Sequence, residues 1–349
     1  MSPGSLPEPV LAGWELDAGQ VRPLGAGLIN QTWIAARQGG GQVVVQRVNP
    51  VFTPAVNEDI DAVTAHLEQR GLVTPRIVPA RDGRLWLPAE AGASWRALTY
   101  VAGRSLDSLA RPEQAEQAAL LLGRFHRALD DLEHPFSGSR RPIHELSRHL
   151  RALQSALADR RDHPDYGSVA RVAEAILGAA DRLPALPVTP PRIVHGDPKI
   201  NNVLFEPQAD RAVCLVDLDT VGPMALPLEL GDAMRSWCAP GGEDRREGEF
   251  SDQLFAAAVA GYARSVRGWI RREEVDAIVP ATANIQVELA ARFCADALNE
   301  SYFSWDPERF PSASAHNLTR AAGQLALHRS LRSKQARLED FVDISFAAA

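Results

Sequence analysis

The sequence predicts an α+β chain in two parts: a small antiparallel β-sheet with one helix over residues 1–102, then a larger, mainly helical part over 103–349. Three observations carry this prediction. Short apolar runs set off by glycine turns crowd the first third of the chain, as in Gln42-Val43-Val44-Val45-Gln46-Arg47-Val48 after Gly39-Gly40-Gly41, the pattern of half-buried strands in hairpins. From Pro112 onward, apolar residues recur at helical spacing in one long segment after another. Between these segments lies a strand–loop–strand stretch, with Arg192-Ile193-Val194 and Val203-Leu204-Phe205 flanking eight residues, all but Ile200 polar or turn-forming.

Composition narrows the class. A chain of 349 residues with 45% hydrophobic and 23% charged residues is an ordinary soluble globular protein with ample length for a core. A net charge of −7 argues against nucleic acid or a polybasic membrane surface as partner. Basic residues are nearly all Arg, and the two Lys are Lys199 and Lys334. Cys214, Cys238 and Cys294 are unclustered and sit in apolar or small-residue contexts, as buried reduced thiols do. The opening MSPGSLPEPV lacks a basic region and an apolar core, and no run reaches the ~20 apolar residues of a membrane span. A cytoplasmic location is the expectation.

In chain order, residues 1–13 are Pro- and Gly-rich and read as a loose arm. Leu24 to Trp33 carries Gly25 and Gly27 in a glycine turn between apolar segments, with Asn30 and Thr32 leading into the next strand. At the end of the strand that follows Gly41, Gln46 and Arg47 fall on opposite faces, and the period of two does not choose between them. Asn57 to Arg70 spaces Ile60, Val63 and Leu67 on one helical face, with Glu58 near its start. Strands are expected at Ile77-Val78, at Leu85-Trp86-Leu87 after the Asp82-Gly83 turn, and from Trp95 to Gly103. Helices are expected over 112–132, 144–160 and 166–182, with Gly123 allowing close packing of the first. Asp232 reads as the start of an apolar helix, where its carboxylate is placed to brace the central loop. Residues 240–250, PGGEDRREGEF, read as an exposed, mobile loop. Further helices are expected over 250–268, 271–279, 282–303 and 316–334. Within them Glu288, Arg292 and Asp296 recur every four residues on one face, either as ion pairs or as a row of ligands for hydroxyl groups. Tyr302 follows, and His316-Asn317 opens the last of these helices with a polar cluster.

The chemistry concentrates in His195-Gly196-Asp197-Pro198-Lys199-Ile200-Asn201-Asn202 and in Asp217-Leu218-Asp219, which ends the apolar run from Ala212. Alone, His-Gly-Asp makes an ordinary turn. An Asp followed five residues later by Asn, with a second Asp at a later strand end, resembles the catalytic loop of eukaryotic-type kinases. With Gly where those kinases have Arg, the stretch is similar to the aminoglycoside phosphotransferase family, small-molecule kinases of protein-kinase-like fold. That resemblance implies a bilobal fold, with ATP and Mg2+ as cofactors and a small-molecule acceptor as partner. It implies that Asp197 accepts the acceptor's proton and Lys199 offsets phosphoryl charge, while Asn202 and Asp217 hold magnesium. Asp219 takes a metal or the acceptor. It further implies nucleotide contacts from Gly25, Gly27, Asn30 and Thr32, from Gln46 or Arg47, and from the backbone near Tyr100 and Val101. Glu58 would orient the strand cation.

A narrower resemblance spans nearly the whole chain. GLINQTW, QRVNPVF, HGDPKINNVLF, VDLDTV, LGDAMR and the HNL segment look like N-acetylhexosamine 1-kinases. It implies transfer to the anomeric hydroxyl of a sugar, with Asp219, Arg292, Asp296, Tyr302, His316 and Asn317 on the acceptor side. Glu229 departs from that group, which usually shows Asp there, and Ala297 replaces its Tyr. Other acceptors are an amino alcohol, choline or homoserine, or an aminoglycoside. Choline would want an aromatic cage, for which Trp237, Trp269 and Trp305 are available. A nucleotide-binding regulator without turnover is the alternative of a different class.

Overall fold

Side-chain alternation builds the N-terminal sheet and decides what each of its faces meets. The computed structural model describes residues 5–24, 30–137 and 143–348, so the expectation for Gly25 and Gly27 lies outside the described residues. Strands β1 (Leu16–Pro23), β2 (Gln31–Arg37), β3 (Gln42–Val48), β4 (Leu87–Pro88) and β5 (Ser94–Thr99) pair antiparallel in the order β1-β2-β3-β5-β4. On the outer face Trp33, Val43, Val45, Trp95 and Ala97 pack together with Leu6, Val10 and Trp14. The arm expected over residues 1–13 therefore contains a helix, α1 (Glu8–Trp14). Leu6, Val10 and Trp14 stand four apart, and burying them together outweighs the local Pro and Gly content.

The other face carries α2 (Val56–Gln69), whose Val56, Ile60, Val63 and Leu67 join Ile77 and Leu98 in the main core. The strand expected at Ile77-Val78 shrinks to one bridge, Ile77 to Leu98. Pro75 and Pro79 on either side have no N–H to extend it. Beyond β5 the chain is tied to the second part by Arg104, whose backbone N–H and C=O pair with those of Phe205 at 2.8 and 2.9 Å.

The second part is mostly helical: α3 (Pro112–Ala128), α4 (Leu146–Asp159), α5 (Tyr166–Ala180), α6 (Leu226–Trp237), α7 (Asp252–Ser265), α8 (Arg272–Asp276), α9 (Ile278–Asn299), α10 (Ala313–Ser333) and α11 (Gln335–Ala348). Helix α9 is buried almost all round, between α4, α5, α6 and α10. Helix α3 lies close against α7. A Cβ on Gly123 would fall 2.0 Å from Ser265 Oγ, and one on Gly261 would fall 2.3 Å from Glu116 O. Two short ribbons cap this bundle where it faces the sheet: β6 (Pro191–Val194) with β9 (Gly222–Ala225), and β7 (Val203–Phe205) with β8 (Ala212–Leu215). The architecture is bilobal and protein-kinase-like, an antiparallel sheet lobe above a helical lobe.

Two local expectations change. Helix α6 starts at Leu226, with Pro227 in its first turn, so Asp232 lies inside it. The 240–250 loop is anchored, because Glu243 pairs with Arg235 and Asp244 accepts from Arg320 Nε at 2.7 Å and Arg309 Nη1 at 3.2 Å. Among the described residues no helix is long and apolar enough to cross a membrane.

Candidate active site

The loop from His195 to Asn202 is fixed by its own side chains and by α6. His195 is fully buried and uses both ring nitrogens. Nδ1 accepts from Asp197 N at 3.3 Å, which assigns the proton to Nε2, and Nε2 lies 2.9 Å from Val216 O. The imidazole thereby ties the loop to the segment entering Asp217. Glu229 supplies the larger brace. Its Oε1 accepts from His195 N at 3.0 Å and its Oε2 from Gly196 N at 2.9 Å, in a fully buried position. The role expected of Asp232 thus belongs to Glu229, one turn earlier on α6. From the same helix, Ser236 Oγ accepts from Ile200 N at 3.0 Å and Trp237 Nε1 donates to Pro198 O at 2.9 Å.

Glu229→Gln would set an amide NH2 or a rotated carbonyl against two inward backbone donors, so one N–H must lose its acceptor. Leaving a buried donor unpaired costs about 2 kcal/mol. Urea unfolding of the variant should show that loss, and an unchanged midpoint would contradict the brace.

The candidate catalytic groups gather within this frame. Asp197 Oδ2 accepts from Lys199 Nζ at 2.6 Å and from Asn202 Nδ2 at 3.2 Å, and Asn202 Nδ2 also donates to Asp197 O at 2.8 Å. With its NH2 so engaged, Asn202 keeps its carbonyl Oδ1 free of hydrogen bonds among the described residues. Val216 N donates to Asn202 O at 2.9 Å, which sets Asp217 beside the loop. Asp217 itself is left-handed, with φ 64° and ψ 57°, a backbone state that a non-glycine residue holds only where its surroundings impose it. Its carboxyl is pushed above the usual carboxylate range. Loss of hydration in the cleft is the first cause and the charge of Asp219 the second, while Lys199 and Arg96 oppose them. Asp217 still opens to solvent at the cleft surface, which moderates the rise. The Lys199 ammonium is held protonated: burial works against its charge, but Asp197 and Asp217 outweigh it.

Among the described residues no group of three His, Cys, Asp or Glu is placed to hold a metal. One carboxylate and one amide oxygen are available, and the surplus negative charge at Asp217 calls for a cation. That set fits magnesium, which takes one or two protein ligands and fills its shell with phosphate oxygens and water.

Strand register settles which face Gln46 and Arg47 take. Thr32, Gln46 and Arg96 stand in one row across β2, β3 and β5, joined by Gln46 Nε2 to Thr32 Oγ1 at 3.3 Å and Arg96 Nε to Gln46 Oε1 at 2.8 Å. This row faces the second lobe. Arg47 is on the opposite face, where Nη2 donates to Glu90 O at 3.4 Å. The cation on the cleft face is therefore Arg96, which sequence spacing missed. Its guanidinium meets Asp219 Oδ1, and Asn30 Nδ2 donates to Asp219 Oδ2. Asp219 is 2% exposed, and both of its oxygens are occupied by the sheet lobe. Glu58 is exposed and has no part in this arrangement. Its neighbour Asp59 instead anchors α2, accepting from His134 Nε2 at 2.8 Å and Ser137 Oγ at 2.8 Å. Tyr100 and Val101 follow β5 directly, on the segment that leads to Arg104.

The expected acceptor-side residues divide. Asp296 accepts from the backbone N–H groups of Ser301, Tyr302 and Phe303 at 3.0, 2.9 and 2.8 Å and from Asn317 Nδ2 at 3.0 Å. Its carboxylate is spent on closing the turn after α9. His316 is buried, accepts at Nδ1 from Asp306 N at 3.2 Å, lies with Nε2 2.8 Å from Asp244 Oδ1, and stacks on Phe310. Burial holds its pKa below the usual histidine value. Asn317 leaves Oδ1 buried and unpartnered. Arg292 makes no hydrogen bond or ion pair among the described residues and lies 5.9 Å from the ring of Tyr302, which is 61% exposed.

Glu288, 1% exposed, is paired with His144 Nδ1 at 2.9 Å and keeps Oε2 unpartnered. Burial opposes protonation of His144, but Glu288 and Asp232 raise its pKa on balance. Asp232, itself bonded to Arg235, feels both His144 and Lys199. Charges of alternating sign thus run from the loop to α9. Trp237 and Trp269 form no cage: one is buried beneath Pro198, and the other lies 3.9 Å under the Arg192 guanidinium.

Comparisons with known proteins agree with this fold. The model of the phosphotransferase enzyme family, APH, matches residues 20–269. A microcompartment-associated aminopropanol kinase superposes with TM-score 0.64 at 16% identity, over 95% of this chain and 97% of that one. An amicoumacin kinase in complex with AMP-PNP and Ca2+ gives 0.62 at 13% identity, over 90% of each chain. A choline/ethanolamine kinase family protein from Mesorhizobium loti gives 0.54 at 19% identity, over 96% of this chain and 95% of that one. At these identities the structural likeness establishes the fold.

Proposed function

This chain belongs to the APH phosphotransferase enzyme family, and from that premise we propose that it transfers the γ-phosphoryl group of ATP to the anomeric hydroxyl of an N-acetylhexosamine or a related hexose. The observation that carries the reading is the Asp197, Lys199 and Asn202 cluster, with the strand end before Asp217 bonded to Asn202 through Val216 N and the Asp217 carboxyl near enough to feel the charges of Lys199 and Asp197. The AMP-PNP and Ca2+ in the amicoumacin kinase of like fold support ATP and a divalent cation here. We assign nucleotide binding to residues 1–102, and catalysis and acceptor binding to 103–349.

Asp197 orients the acceptor hydroxyl and takes its proton as the O–P bond forms and the bond to the ADP oxygen breaks. Lys199 offsets charge on the transferring group. Asn202 Oδ1 and the Asp217 carboxylate would hold magnesium, which neutralises phosphate charge when bound. The transition state is loose, so positioning and charge neutralisation supply most of the rate enhancement.

For the acceptor side we take Arg292 with the His144–Glu288 pair, which lies near enough for Arg292 to act on His144, as a mixture of donors and acceptors. A neutral sugar needs that mixture, whereas a quaternary ammonium needs aromatic faces. An amino alcohol is the second reading, favoured by the unpartnered Glu288 oxygen, which would pair with an ammonium. Arg292→Ala should raise the acceptor KM at least about tenfold, as loss of a hydrogen bond to a charged group does, and leave the ATP KM unchanged. An unchanged acceptor KM would remove Arg292 from the site.

The test of the function is a coupled ADP-release screen with magnesium over hexoses, N-acetylhexosamines, amino alcohols and aminoglycosides, with phosphorus coupling locating the new bond. Turnover confined to sugars, with phosphate on the anomeric oxygen, is the expected result. Turnover confined to amino alcohols would replace the acceptor assignment, and nucleotide binding without turnover across the panel would favour a regulator.

A further inference from the structure

We propose that Arg96 is a positioning residue for the metal-binding turn: from the cleft face of β5 it holds Asp219, and through Asp219 it fixes the carboxylate of Asp217. In this way it supplies the cation that the cleft face of β3 lacks.

The first support is parity. On β3 the cleft-facing residue is the neutral Gln46, and the charged Arg47 looks the other way. The neighbouring position on β5 is Arg96, 1% exposed, with Gln46 Oε1 accepting from its Nε at 2.8 Å. A guanidinium so buried is tolerated only when paired and hydrogen-bonded, and its paired charge is Asp219.

The second is where that pair sits. Asp219 lies two residues after Asp217, in the turn Leu218–Thr220. The left-handed backbone of Asp217 needs restraint on both sides. On the near side His195 Nε2 holds Val216 O, and on the far side Thr220 Oγ1 donates to His195 O at 2.9 Å. Both restraints come from the helical lobe. Asp219 is the point at which the sheet lobe enters: Arg96 takes one oxygen and Asn30 the other, while Asn30 Oδ1 accepts from Asn49 N at 2.9 Å. The metal carboxylate is thus set against the strands that cover the nucleotide, without the exposed Glu58 of α2.

The inference rests on the phosphotransferase reading for the identity of the ligand. Its test is isothermal titration of the full chain with a non-hydrolysable ATP analogue, with and without magnesium, on wild type, Arg96→Met, Asp219→Asn and the double variant Arg96→Met/Asp219→Leu. The double variant leaves no lone buried charge, so it reports even where a single variant unfolds. Each variant should weaken the magnesium–nucleotide complex by about 10- to 100-fold, the usual cost of removing a partner that orients a metal ligand. Metal-free nucleotide should bind within about threefold of wild type, because no direct phosphate contact is removed. The double variant should be no weaker than the singles, since all three remove one linkage. Equal weakening of both nucleotide forms by Arg96→Met, or an unaffected magnesium complex in the double variant, would overturn the inference. Wild-type protein that bound no magnesium nucleotide would overturn the phosphotransferase reading itself.

Discussion

Replacing Asp197 by Asn should lower kcat about a thousandfold, the usual range for loss of a positioned general base, while nucleotide affinity stays near that of wild type. The substitution is close to isosteric. Lys199 and Asn202 both donate to Oδ2, so an Asn side chain can turn its oxygen toward them and keep the loop in place. What it cannot do is accept the proton of an incoming hydroxyl. The defect should therefore appear in kcat and kcat/KM together, as for an interaction made only in the transition state. Activity within a few-fold of wild type at saturating acceptor would take Asp197 out of the base role.

Gly196→Ala should be nearly as damaging by a different route. Gly196 has φ +85°, and a Cβ there would lie 2.4 Å from Thr220 O and 2.9 Å from Thr220 Cβ. The left-handed backbone costs an L-residue about 1 kcal/mol, and forcing atoms into a packed site adds about 1–3 kcal/mol. Thr220 has little freedom to retreat, because its hydroxyl donates to His195 O. The loop must move instead, taking Asp197 with it. A displacement of about 1 Å costs on the order of 100-fold in rate. Urea unfolding and steady-state kinetics should show both losses in the same variant. Wild-type stability with wild-type turnover would mean that the loop is not held as described.

The parts of this molecule legible in the sequence are those set by local spacing. Asp197, Lys199 and Asn202 share one tight loop, and Asp217 ends a strand whose apolar run is plain, so their convergence needed only short-range geometry. Most helices of the second lobe fall on the segments expected to be helical, whereas α11 (Gln335–Ala348) lies beyond the last of them. Arg96 was hidden because its importance depends on strand register: only the pairing of Gln46 with Arg96 shows which cation faces the cleft. The mid-strand charge in Ser94-Trp95-Arg96-Ala97 was the available signal. Glu229 is hidden because the helix that carries it starts at Leu226, six residues before Asp232, where the sequence places its start. Asp296 looked like a ligand on its helix face, yet the chain turns back at residues 301–303 and fills its carboxylate with backbone donors. Long-range closure of that kind leaves no mark in a spacing pattern.

The most direct test of the account is to follow radiolabelled γ-phosphate from ATP during magnesium-dependent incubation with an N-acetylhexosamine. The account predicts label on the sugar, none beyond background as inorganic phosphate, and loss of transfer with Asp197→Asn or on chelation of the metal. Label appearing solely as inorganic phosphate, or remaining in ATP whatever acceptor is supplied, would contradict it.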